Sequence, residues 1–314
     1  MKKTLVALAV LAASGASFAQ VTITGTYGYG YKASTSATSG SASGLGISDS
    51  NVVFGVSEDL GGGMKVAAQT KIDALNRAKI AGGDSFVALS SGYGTLTMGL
   101  AEYDTDTADQ FGTFMGATIL GGGTHGDSER IADFMSYSTS FGPVGVSFRH
   151  TEAEKALGAG AAGSKTQREN TIAASYAAGP LSVKADYTSF DNKDVASSQF
   201  FDSRTTLGGN YDLGVVKLGL GLQNTKYAPQ GSALETFVGA TIPLGALAVG
   251  VDYLSVKVSD TGAATDGTAT GYGIQAKYNL SKRTDVRLRY ANYDASMNPS
   301  SKDSYTSLVL EHSF

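Results

Sequence analysis

Residues Asp303 to Phe314 read Asp-Ser-Tyr-Thr-Ser-Leu-Val-Leu-Glu-His-Ser-Phe, and their alternation decides the fold. Counting back from Phe314, His312, Leu310, Leu308 and Thr306 share one face, and Glu311, Val309, Ser307 and Tyr305 share the other. That is the two-residue period of a β-strand. A strand that stops on an aromatic residue is expected where its outer face meets lipid and its end sits in an interfacial aromatic girdle.

No segment after the first residues reaches the about 18 to 20 consecutive apolar residues that a membrane helix needs, although 42% of the chain is hydrophobic. Glycine makes up 41 of 314 residues and tyrosine 16, against 5 prolines and no tryptophan. That balance suits strands, tight turns and interfacial rings, and excludes collagen-like and Pro-rich disordered chains. Cysteine is absent, which excludes thiol catalysis, disulfides and Cys-ligated metals.

The N-terminus predicts export. Lys2 and Lys3 form a basic start, Leu5 to Ala13 an apolar run, and Ser17-Phe18-Ala19 a small-x-small cleavage site, so residues 1–19 read as a signal peptide and residues 20–314 as the mature domain. Removing Lys2 and Lys3 leaves 22 basic against 28 acidic residues, so the net charge moves from −4 to −6. An acidic chain without a basic patch carries no nucleic-acid footprint.

From Gln20 onward, short alternating runs are punctuated by Gly, Asp, Asn and Ser. They pair into hairpins whose turns fall at Gly61, Gly92, Gly142, Gly179, Gly214, Gly245 and Ser281. With Val21 to Lys32 at one end and the terminal run at the other, the pattern predicts about sixteen strands. Long polar stretches, among them Ala33 to Ser50, Glu152 to Glu169 and Lys257 to Gly267, alternate with the short turns and are expected to be loops. Short connections on one side and long ones on the other are the asymmetry of an outer-membrane barrel.

Leu247, Val249, Val251 and Tyr253 alternate with Ala248, Gly250 and Asp252. Leu218, Leu220 and Leu222 alternate with Lys217, Gly219, Gly221 and Gln223, and Val286, Leu288 and Tyr290 with Asp285, Arg287 and Arg289. One face calls for hydrocarbon and the other for water. Periodicity alone does not say which face points inward, but size does. A closed barrel of about sixteen strands is too wide for side chains to fill, so apolar-out is the satisfied arrangement. The predicted class is all-β, a transmembrane antiparallel β-barrel.

Asn51-Val-Val-Phe-Gly-Val-Ser-Glu-Asp-Leu-Gly61, Phe86-Val-Ala-Leu-Ser-Ser-Gly-Tyr-Gly-Thr-Leu-Thr-Met-Gly99 and the terminal Phe314 make the chain similar to the Gram-negative general porins, above all to the betaproteobacterial trimeric group. The resemblance implies a homotrimer in the outer membrane of a Gram-negative bacterium and passive diffusion of ions and small hydrophilic solutes. It also implies a third loop folded into the lumen as a constriction, and Phe314 as the signal read by the barrel-assembly machinery. The constriction loop corresponds to Tyr103 to Arg130, which carries Asp104, Asp106, Asp109, Asp127 and Glu129, and Asp109-Gln110-Phe111-Gly112 resembles its acidic-Phe-Gly portion.

Facing those carboxylates, inward parity offers the basic residues Lys65, Lys71, Arg149, Lys184, Lys217, Lys277, Arg287 and Arg289. The family's basic wall commonly includes positions matching Asn51, Gly55 and Leu100, so the cluster is thinned here. Two unit charges about 8 Å apart interact by roughly 0.5 kcal/mol in water and about 2 kcal/mol at an effective dielectric near 20, enough to bias ion flow without trapping a solute. With the net charge of −6, weak selectivity leaning to cations is expected.

No catalytic centre is expected. His125, His150 and His312 share no metal-ligand spacing, Gly121-Gly122-Gly123-Thr124 lacks the Lys of a phosphate loop, and there is no G-x-S-x-G elbow. No cofactor is called for. The competing readings are a solute-specific channel, which would show an aromatic ladder along the lumen, and a barrel adhesin acting through its Ser/Thr/Gly loops.

Overall fold

The two-residue alternation is realised as sixteen antiparallel strands. The computed structural model describes residues 20–36, 40–76, 79–103, 107–112, 130–153, 167–191, 200–260, 266–294 and 302–314. The strands are β1 (Gln20–Ser36), β2 (Gly40–Gly61), β3 (Met64–Asn76), β4 (Lys79–Ser91), β5 (Gly94–Tyr103), β6 (Arg130–Phe141), β7 (Val144–Ala153) and β8 (Gln167–Ala178). They continue as β9 (Leu181–Asp191), β10 (Phe200–Asp212), β11 (Lys217–Ala228), β12 (Ser232–Leu244), β13 (Leu247–Ser259), β14 (Gly267–Asn279), β15 (Thr284–Tyr293) and β16 (Lys302–Ser313). One short helix, α1 (Thr107–Phe111), lies between β5 and β6.

Each strand pairs with its sequence neighbours, and β1 pairs with β16, so the sheet closes on itself. At the seam Gly25 N–H donates to Phe314 O at 3.1 Å and Phe314 N–H donates to Gly25 O at 3.0 Å. Register then runs from Thr26↔Ser313 through Tyr31↔Leu308 without a shift. Gly25 is required at this rung, because a Cβ there would lie 2.5 Å from the Phe314 ring and 2.5 Å from Asn51 O. The terminal ring thus covers a strand glycine at the join.

Register around the circle fixes which residues face out. Leu218, Leu220 and Leu222, Val251 and Tyr253, Leu288 and Tyr290, and Leu308 and Leu310 are all exposed large apolar side chains. Between them Gln223, Asp252, Gln275, Ser307 and Glu311 are buried on the other face. Apolar outside and polar inside is the arrangement that the width of the barrel demanded.

The connections at the end where β1 starts are short, each of no more than four residues. Gly62 and Gly63 turn the chain there with φ of 63° and 78°, a region other residues enter only with strain. The opposite connections vary from residues 77–78 to residues 104–129. Two expectations are corrected. The Ala33 to Ser50 stretch is not a loop: β1 and β2 stay paired out to Ser36↔Gly40, because ladder hydrogen bonds need no particular side chain and Ser, Gly and Thr are welcome beyond the hydrocarbon. Long connections therefore do not alternate strictly with short ones.

The second correction concerns the inner face. It is not uniformly polar, since Phe237, Leu254, Val256 and Val258 point inward from β12 and β13 and form a buried apolar cluster with Phe111, Ala233, Ala269 and Ala291. Tyr253 and Leu254 are adjacent, so the apolar run changes face at this point. A strand inside a wet lumen can hold such residues only beneath a cover, and α1 supplies part of it.

Placing a charge on either face tests the sidedness. Leu220→Arg should lose about 2 to 4 kcal/mol of folding stability in a bilayer, whereas Ser175→Asp, exposed on the inner face opposite Lys184, should lose under about 1 kcal/mol. Urea titration of refolding into vesicles measures both.

Candidate functional site

The site is built where α1 meets the inner wall. A five-residue helix is too short to hold itself, so wall contacts must hold it. Thr107 N–H donates to Glu235 Oε1 at 2.6 Å, and the Thr107 hydroxyl donates to the same oxygen. The first amide of a helix has no partner within the helix, and a carboxylate supplies a charge-assisted one. At the other end Phe111 enters a slot floored by Gly208 and Gly221, where an added Cβ would come within 2.6 Å of its ring. The Asn210 amide, in its satisfied orientation, donates to Phe111 O at 2.8 Å. Lys184 Nζ donates to Gln110 Oε1 at 2.9 Å.

These wall residues all face inward. Glu235, Gln223, Thr206, Asp186, Ala173 and Ser147 follow one another across the paired strands at one parity. The eight basic residues picked from parity share it. Lys65 is placed opposite Asp59, and Lys277 opposite Arg287. Arg289 is placed opposite Gln275 and Ser307. Arg149 stands 4.3 Å from the Phe134 ring centroid. Lys71 pairs with Asp73, Lys184 with Asp186 at 3.3 Å, and Lys217 with Asp212 at 3.4 Å. Arg287 donates to Asp285 at 2.6 and 3.2 Å and pairs with Glu311.

The inner face carries acidic partners as well. Asp285 and Glu311 fall in the inner rows by alternation, and Asp73, Asp186, Asp212 and Glu235, not singled out from the sequence, sit at the same parity and neutralise or anchor what faces them. Alternation in the sequence was enough to find them. Of the expected constriction carboxylates, Asp109 falls within α1, and Asp104, Asp106, Asp127 and Glu129 lie outside the described residues. So does His125. His150 bonds Asn170 at 2.8 Å and lies 3.4 Å from Glu152, and His312 bonds Thr284 at 2.9 Å, each on the outward parity. Among the described residues no group of three or more acidic or imidazole side chains could hold a metal.

Residues 4–298 match the family model of the Gram-negative porin. The chain belongs to that family. A relative is the outer membrane porin protein 32 of Delftia acidovorans, 33% identical over 312 residues that span 90% of this chain and 87% of the relative. Solved structures of like fold include an anion-selective porin from Comamonas acidovorans, with a TM-score of 0.72 and 23% identity over 94% of this chain and all of that one. Another is the trimer form of Vibrio cholerae OmpT, with a TM-score of 0.71 and 14% identity over 94% of this chain and 99% of that one. At those identities the two structures speak for the fold. The protein is accordingly an outer-membrane porin channel, and its barrel crosses the outer membrane of a Gram-negative cell.

The latch on α1 can be opened without touching the barrel. Phe111→Ala should leave the sheet intact, with the folded barrel still resisting denaturation, while limited proteolysis of the 104–129 segment speeds up at least about tenfold, the equivalent of about 1.4 kcal/mol of local anchoring.

Proposed function

We propose that the protein is a general diffusion porin, admitting ions and small hydrophilic solutes through a water-filled lumen that the segment around α1 narrows. The observation that carries this reading is the latch of α1 to the inner wall through Glu235, Lys184, Asn210 and the Gly208–Gly221 slot. Folding a loop into a lumen and fastening it at four points is useful to a channel and useless to an adhesin. Phe190, Phe201 and Tyr227 follow one another at 5.3 and 5.6 Å beside Arg204, and Phe134 lies against Arg149; the first is a cluster at one place on the wall, across three neighbouring strands, and not a ladder along the lumen.

The selectivity proposed is weak and leans to cations. Lys71, Lys184, Lys217 and Arg287 each face a carboxylate within the wall, so four of the eight basic wall residues add little to its net field. The acidic balance of the mature chain, −6 once Lys2 and Lys3 are removed, then decides the sign. The anion selectivity named for the Comamonas acidovorans porin is that protein's own. Export through residues 1–19, insertion by the barrel-assembly machinery reading Phe314, and assembly as a homotrimer complete the proposal.

Single-channel recording in a planar bilayer under a KCl gradient tests it. Large, weakly rectifying steps arriving in threes, with a reversal potential of the sign for K⁺ and a permeability ratio under about tenfold, are the predicted result. A chloride preference would overturn the lean to cations, and the absence of conductance from folded protein would overturn the channel.

A further inference from the structure

Beneath α1, at the mouth ringed by the short turns, the inner wall carries a recess that adjoins the latch and shares Asn210 with it. Its volume is about 460 Å³, and it is lined by Gly112, Pro180, Ser182, Asn210, Asp212 and Lys217, among others. In an outer-membrane barrel the short turns face the periplasm, so a solute leaving the narrow zone meets this recess next. Two features give it chemistry. Asp212 is fixed: its Oδ1 accepts the Gly214 N–H at 2.8 Å, which leaves Oδ2 toward Lys217 Nζ at 3.4 Å. Lys217 opens the next strand and is half exposed, so its ammonium can swing away from Asp212.

We infer that this recess is a weak binding site for small zwitterionic solutes of the α-amino acid class, with the solute ammonium on Asp212 and its carboxylate on Lys217. An exposed ion pair holds together only weakly, since solvent screens it and both side chains lose freedom by forming it. A zwitterion opens the pair and satisfies both halves at once. A lone cation or lone anion gains one such screened contact and returns the other half of the pair to water, whereas the zwitterion gains two. The recess is large enough for such a molecule with part of its hydration, and Ser182 adds a neutral polar group along its wall. A site that binds weakly just past a constriction raises flux at low solute concentration without stopping the channel.

The inference rests on the porin reading, so two readouts are needed. The first does not depend on conduction: saturation-transfer NMR with detergent-folded protein and L-alanine, compared with propionate and ethylammonium, which each carry one of its two charges. The wild type should give a saturable alanine signal at millimolar concentration and at least a fivefold weaker one with either single-charge probe. Asp212→Asn and Lys217→Gln should each lower the alanine signal at least fivefold, and the charge-exchanged double variant, Asp212→Lys with Lys217→Asp, should restore most of it. The second readout is the open-channel current in KCl with alanine added from the turn side, where current noise should rise in the wild type and not in the single variants. An alanine signal absent from the wild type, or unchanged in both single variants, overturns the site whatever the channel does. KCl conductance without an alanine effect leaves the porin reading standing and removes this one.

Discussion

A strand edge in hydrocarbon has no water to bond with, so each unpaired amide there costs several kcal/mol. Everything else in this structure follows from the removal of that edge. The sheet must close, and it closes where Gly25 and Phe314 exchange their backbone hydrogen bonds. Closure at that register sets the parity of every other strand, because a slip of one residue would turn each apolar row toward the lumen. Sixteen strands then enclose more space than inward side chains can fill, and the lumen becomes available to water and to a segment of the protein's own chain.

What enters the lumen is held by groups that would be expensive elsewhere. Glu235 is almost fully buried, yet it accepts two hydrogen bonds from Thr107 and so exchanges solvation for a fixed partner. Phe111 finds a glycine slot and an apolar neighbourhood built from Phe237, Leu254 and Val256. Polar capture at one end and apolar insertion at the other give α1 a unique position that its own length could not. Around it Lys71, Lys184, Lys217 and Arg287 each stand beside a carboxylate of the same inner face.

The barrel was legible in the sequence because an outward face made of Leu218, Leu220 and Leu222 leaves little choice of period, and the glycine-marked turns between strands are local signals. Two parts were hidden for physical reasons. Leu254, Val256 and Val258 look like one more lipid-facing row. They face the lumen because Tyr253, at the outward parity, fixes the phase, and beyond it Ser255 and Lys257 take the outer face. The extent of the β1–β2 hairpin was hidden too, since Ser, Gly and Thr carry little strand preference and the pairing that extends it depends only on the backbone. The latch was half legible. Phe111 stood out in its motif, but Glu235 sits 128 residues from Thr107, and only the folded register brings them together.

The central claim is the sidedness of the wall, and the absence of cysteine from the chain makes it directly measurable. Single cysteines at Ser147, Thr171 and Ser175, which face inward, and at Val146, Phe148 and Ile172, which face outward, are placed side by side on β7 and β8. In outer-membrane vesicles a water-soluble, membrane-impermeant thiol reagent should modify the first three, lowering conductance as it does, and leave the second three unmodified. Equal labelling of both sets, or labelling of the outward set alone, would contradict the account.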